Sequence, residues 1–162
     1  MSEICQTKGD VLKLHTLIRK QTLPVDINRA WEFFGDPSKL AEITPPWLGF
    51  KVRTELPPET YAGMVVRYTI TPFGGIPVQW ITEITHAEKP FFFVDEQRFG
   101  PYKFWHHQHI FRETDNGTEM TDIVDYILPF GFLGELAHML YVKRKLDEIF
   151  TYRKETLDKI FS

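Results

Sequence analysis

The stretch Gly100-Pro-Tyr-Lys-Phe-Trp-His-His-Gln-His-Ile-Phe111, GPYKFWHHQHIF, gathers three of the chain's six histidines within four positions and surrounds them with aromatic rings. Side chains two apart on a strand share a face. Over Phe104–Phe111 one face therefore carries Trp105, His107, His109 and Phe111, and the other Phe104, His106, Gln108 and Ile110. The cluster reduces to a pair, His107 and His109, with His106 pointing away. Gly100-Pro101 in front of it reads as a turn.

Similar strands lie on either side. Phe50–Leu56, Met64–Thr71, Val78–His86, Phe92–Phe99 and Glu119–Leu128 alternate like Phe104–Arg112. Pro57-Pro58, Phe73-Gly74-Gly75, Lys89-Pro90, Gly100-Pro101 and Asp115-Asn116-Gly117 punctuate them. Connections this short favour antiparallel meanders, because parallel pairs need long crossovers. Asn116-Gly117 is the strongest hairpin signal, since a tight turn demands positive φ.

Upstream, Val11–Arg19 reads as a first strand. Asp26 is placed to cap a helix over Ile27–Phe34, with Ala30, Trp31 and Phe34 on one stripe and Gly35 at its end. Asp36-Pro37 repeats the start signal for a short helix Pro37–Ile43, which Thr44-Pro45-Pro46 stops. Downstream, Pro129-Phe-Gly-Phe-Leu-Gly134 leads into a long amphipathic segment without Gly or Pro. In it Leu136, Leu140, Leu146, Ile149, Phe150, Leu157 and Ile160 recur near helical spacing between Lys143, Arg144, Lys145, Arg153 and Lys154. The order is strand, two short helices, six strands, long helix. A curved antiparallel sheet of about seven strands wrapped around one long C-terminal helix satisfies it, an α+β fold, and leaves a space between the sheet's concave face and the helix.

If the face of His107 and His109 looks inward, so do Phe93, Asp95 and Gln97, Asp122, Val124 and Tyr126, Trp80 and Thr82, and Val66 and Tyr68. That interior is aromatic with a sparse polar set, as small-molecule sites are. Aromatic residues make up 15% of the chain, enough either to fill a core or to line a cavity.

Bulk composition narrows the classes. The 162 residues suit one domain, 1–162, with 1–10 expected to be a poorly ordered N-terminal segment. A formal charge of -3 gives no reason to expect nucleic acid as a partner. The single cysteine, Cys5, cannot form an internal disulfide. MSEICQTKGD shows no basic-then-apolar leader pattern, and Phe91–Val94 is the longest apolar run. The expectation is a cytoplasmic protein with no stable membrane insertion. The oligomeric state is not legible.

Several segments resemble the START/birch-pollen-allergen superfamily, also called SRPBCC or polyketide cyclase/dehydrase-like, and within it a bacterial ligand-binding branch. They are Trp31-Glu-Phe-Phe34, Ile43-Thr-Pro-Pro46, Ile76-Pro-Val-Gln-Trp-Ile-Thr82, Phe93-Val-Asp-Glu-Gln97, Gly100-Pro-Tyr102, Trp105-His-His-Gln-His-Ile-Phe111, Asp122-Ile-Val-Asp-Tyr126 and Leu128-Pro-Phe-Gly131. The resemblance covers nearly the whole chain after residue 10. It implies a helix-grip fold with a deep cavity under the C-terminal helix. It implies no reaction, because members bind lipids, sterols, polyketides and hormones and only some are enzymes; fold does not fix function.

The expected ligand-binding residues are Tyr68, Trp80, Thr82, Phe93, Gln97, Trp105, His107, His109, Phe111, Asp122 and Tyr126, with Leu136 and Leu140 of the long helix, beside Leu133 and Ala137, as a lid. The expected ligand is a small hydrophobic or amphipathic molecule of lipid, polyketide or aromatic type. The alternative is a cyclase, dehydratase or isomerase, with His107, His109 and Asp122 as candidates for acid–base work. A third reading is a partner-binding domain with a vestigial pocket. No metal or cofactor is expected: His107, His109 and Asp122 share a face, but no third histidine or cysteine joins them. Lys143-Arg144-Lys145 reads as a solvated helix face, and His15, His86 and His138 receive no role. A carrier should hold an apolar cavity of roughly 300–1,000 Å³. An enzyme should bring a histidine and a carboxylate or tyrosine within about 3.2 Å of a common point.

Overall fold

A computed structural model describes residues 12–73 and 75–162. The segment 1–10 and the start of the expected first strand at Val11 lie outside the described residues. Strand β1 runs His15–Leu23, α1 Ile27–Phe34, β2 Lys51–Val52, β3 Val65–Phe73, β4 Ile76–Glu88, β5 Phe92–Phe99, β6 Phe104–Thr114 and β7 Gly117–Ile127. The seven strands form one antiparallel sheet in the order β1-β7-β6-β5-β4-β3-β2. Helix α2 (Gly131–Ala137), a π-helical turn (His138–Val142) and α3 (Lys143–Ile160) follow one another without a break. This is the helix-grip α+β arrangement that the sequence order implies.

Local chemistry explains the boundaries. Asp26 accepts from the backbone N–H groups of Asn28 and Arg29, so α1 begins where expected. Asp36 accepts from Ser38 N–H, but the segment behind it is a 3-10 turn, Pro37–Ala41, shorter than the expected helix. A second 3-10 turn, Pro46–Leu48, opens at the proline expected only to stop the chain. Strand β1 starts later and ends later than expected, because its ladder with β7 continues to Leu23 opposite Thr118. The expected strand Phe50–Leu56 shrinks to Lys51–Val52; beyond it the Thr54 hydroxyl, rather than a backbone carbonyl, accepts Arg67 N–H. At the β6–β7 hairpin the positive φ falls on Gly117 (118°) and not on Asn116. A Cβ there would meet the Leu23 carbonyl at 2.1 Å, so only glycine fits.

Burial alternates along β6 and β7 as the period of two requires. Two buried clusters result. One joins Trp31 and Phe34 of α1 to Phe93, Phe111 and Met120 of the sheet and Leu157 of α3. The other joins Trp105, Val124 and Tyr126 to Val142, Leu146 and Phe150 of the helix. No helix among the described residues is long and apolar enough to cross a membrane.

Candidate functional site

A cavity of about 560 Å³ lies between sheet and helix, with walls drawn from both buried clusters. Its sheet side includes Tyr68, Trp80, Thr82, Phe93, Trp105, His107 and His109, all expected from alternation. Asp95 and Arg153 join them. Trp47, Phe130 and Leu133 also line it and are 42%, 82% and 68% exposed, so they mark its open end.

Six expected residues lie elsewhere. Asp122 stands behind the histidines and does not line the cavity. Gln97 braces the turn after β5, donating to Tyr102 O at 2.6 Å and accepting from Tyr102 N–H at 3.2 Å. Phe111 packs into the first core against Trp31, Phe34 and Phe93. Tyr126 shares a 2.8 Å hydrogen bond with His138. Leu136 and Leu140 are 39% and 72% exposed. Of the expected lid, Leu133 and Ala137 line the cavity, and Tyr141 joins them from the helix.

The polar heart of the site is an interlocked foursome. Asp95 pairs across the ladder with His107, and Asp122 with His109. The strongest hydrogen bonds nevertheless run diagonally, His107 Nε2 to Asp122 at 2.8 Å and His109 Nε2 to Asp95 at 2.9 Å. The remaining nitrogens face the other carboxylates, His107 Nδ1 3.3 Å from Asp95 and His109 Nδ1 3.1 Å from Asp122. The last approach is close but misaligned, so His109 Nδ1 has no hydrogen-bond partner. The imidazole rings lie with centroids 3.8 Å apart, tilted by 38° to each other.

Burial alone would push His107 toward neutrality, but Asp95 and Asp122 outweigh it and its pKa is raised. Burial would likewise protonate Asp95 and Asp122, yet the two histidines hold both carboxyls well below the usual range. Tyr68 is pushed up, by burial first and Asp95 second, and its hydroxyl stays a donor to Thr82 at 2.5 Å. His107, with a carboxylate at each nitrogen, is therefore tuned toward its charged form.

Asp95, His107 and His109 also place three metal-capable atoms within 4.8 Å of one another. Each of those atoms already faces an imidazole–carboxylate partner.

Sequence reasoning missed Arg153. It stands among the basic residues set between the apolar positions of the helix, but it is 8% exposed and reaches within 3.7 Å of Asp122. The signal was present: Leu146, Phe150 and Arg153 fall at i, i+4 and i+7 on the inward stripe.

No family model matches the chain, and no curated protein matches it. Solved structures share its fold. Protein Ms6760 from Mycobacterium smegmatis is 20% identical, covering 93% of this chain and 95% of that one, with a TM-score of 0.64. A protein from Arthrobacter aurescens is 17% identical over 89% and 86%, with a TM-score of 0.67. Ara h 8.0201 is 15% identical over 91% and 99%, with a TM-score of 0.61. At these identities the likeness is one of fold.

Proposed function

We propose that this chain binds a small hydrophobic or amphipathic molecule, of lipid, polyketide or aromatic type, in the cavity between its sheet and its C-terminal helix. The observation carrying the reading is the cavity itself: about 560 Å³, walled largely by aromatic and aliphatic side chains, with one compact polar cluster. That size and that ratio of apolar wall to convergent polar groups suit a ligand site. The resemblance of its motifs to the bacterial ligand-binding SRPBCC branch supports the same reading. The direct test is native mass spectrometry of freshly purified protein, followed by denaturation and identification of what is released. A neutral fluorescent probe, N-phenyl-1-naphthylamine, should bind with blue-shifted emission. Absence of both a released molecule and probe binding would sink the reading.

A second reading, an acid–base enzyme acting on a carbonyl compound, rests on a different observation. Asp95, His107 and His109 meet within hydrogen-bond distance on the cavity wall, and His107 is tuned toward its charged form. Enolisation, dehydration and cyclisation all need such a proton donor and acceptor. Solvent deuterium entering the released molecule with wild-type protein, and not with His109→Gln, would favour the enzyme over the carrier.

A further inference from the structure

Four buried side-chain nitrogens among the described residues lack a hydrogen-bond partner: Trp80 Nε1, His109 Nδ1, Arg153 Nε and Arg153 Nη1. All three residues line the cavity. Three of the four atoms are obligate donors. Buried donors are almost always paired, and a charged one left unpaired is the costliest kind. The cavity thus offers donors and is short of acceptors.

Arg153 stands out among the charged lining residues. Lys39 hydrogen-bonds Glu42 at 2.7 Å and Lys145 hydrogen-bonds Glu148 at 2.5 Å. Asp36 caps the turn behind it and Asp95 is held by the two histidines. The Arg153 guanidinium rests over the Phe150 ring, 4.9 Å from its centroid, and feels Asp122 only at 3.7 Å, without a hydrogen bond. Asp122 Oδ1 is already engaged by the His107 hydrogen bond at 2.8 Å.

An entering carboxylate meets an uncommitted guanidinium fork, the geometry that binds carboxylates bidentately.

We propose that Arg153 anchors an acidic head group, so that the ligand of this cavity is an amphipathic carboxylic acid whose apolar or aromatic body extends toward Trp47, Phe130 and Leu133 at the open end. This rests on the cavity-binding reading above and names its substrate class.

The test displaces N-phenyl-1-naphthylamine from the full-length protein with dodecanoic acid and with dodecan-1-ol, which share a tail and differ in the head. Wild-type protein should prefer the acid by about tenfold or more, the scale of a charge-assisted hydrogen bond. Arg153→Met should still bind the neutral probe but lose the preference for acid over alcohol, and Arg153→Lys should keep part of it. Equal affinity of wild-type protein for acid and alcohol overturns the proposal while leaving the cavity reading intact, and needs no variant to fold. An acid preference that persists in Arg153→Met places the head group elsewhere and also overturns it. If the neutral probe does not bind wild-type protein at all, the cavity reading falls first and the anchor falls with it.

Discussion

Asp122 sits directly across the ladder from His109, yet its shortest hydrogen bond goes diagonally to His107, at 2.8 Å. Asp95 mirrors it, opposite His107 and bonded to His109. The crossing ties three strands, β5, β6 and β7, through four side chains, and Arg153 reaches the same carboxylate from the helix. Removing one charge from such a set leaves the others buried and uncompensated, which costs roughly 3–5 kcal/mol. Asp122→Asn should therefore lower unfolding stability by that order in urea titration. Glu83→Gln, which breaks a partly exposed pair with Arg98, should cost under about 1 kcal/mol. Equal effects from the two variants would mean that the buried cluster is not coupled.

The same cluster sets a pH profile. The folded pKa of His107 lies above the unfolded value of about 6.5. Its proton therefore stabilises the fold fully below that pH, and the contribution is lost as pH rises through the raised folded value. Asp95 and Asp122 lie below the unfolded carboxylate value of about 3.9. Their contribution is present above that value and is lost as pH falls through the depressed folded ones. The melting temperature should be highest between about pH 4 and 6.5 and should decline on both sides. His107→Gln should flatten the alkaline decline; an unchanged alkaline limb would refute the assignment to His107.

How much of this was legible depended on period and on partners. Alternation along Phe104–Phe111 placed His107 and His109 on the inward face and sent His106 to the outer face, where it meets Glu96 at 3.0 Å. Asp26 marked the start of α1 because its cap is local chemistry. Alternation could not distinguish a residue lining a void from one filling a core, so Phe111 and Tyr126 were grouped with the wall. It also could not foresee that Gln97 would fold back on the turn beside Gly100, where a Cβ would meet Gln97 Oε1 at 2.3 Å. On the helix, Leu133 and Ala137 of the expected lid line the cavity, whereas Leu136 and Leu140 do not, because apolar spacing alone cannot say which residues of the stripe meet the void. Arg153 was hidden by its type, since arginine on an amphipathic helix usually faces water.

Metal removal separates two accounts of Asp95, His107 and His109. With His107 Nε2 bonded to Asp122, His109 Nε2 bonded to Asp95 and His107 Nδ1 3.3 Å from Asp95, dialysis against EDTA should leave the melting temperature unchanged, and added zinc should not raise it. A specific cation would stabilise the folded state by mass action, so a zinc-dependent rise that disappears in Asp95→Asn would establish a metal site instead.

The mouth of the cavity can be tested through one glycine. Gly134 in α2 lies against the chain that leads into the helix, and a Cβ on it would come 2.1 Å from the Pro129 carbonyl and 3.2 Å from Leu128 Cβ. The obstacle is backbone, which cannot swing aside as a flexible side chain would. Gly134→Ala must therefore push α2 away from the Leu128–Pro129 corner. Leu133 and Ala137, which line the cavity, move with that helix. Overpacking of this kind costs roughly 1–3 kcal/mol, and the displaced wall should weaken binding of the neutral probe. Gly75→Ala is the control: nothing stands within 4 Å of its Cβ, and its cost comes from a φ of +78° alone, about 1–2 kcal/mol. It should lower stability without changing probe affinity. Loss of probe binding in Gly134→Ala alone ties α2 to the cavity mouth; equal probe affinity in both variants would show that the corner does not govern the cavity.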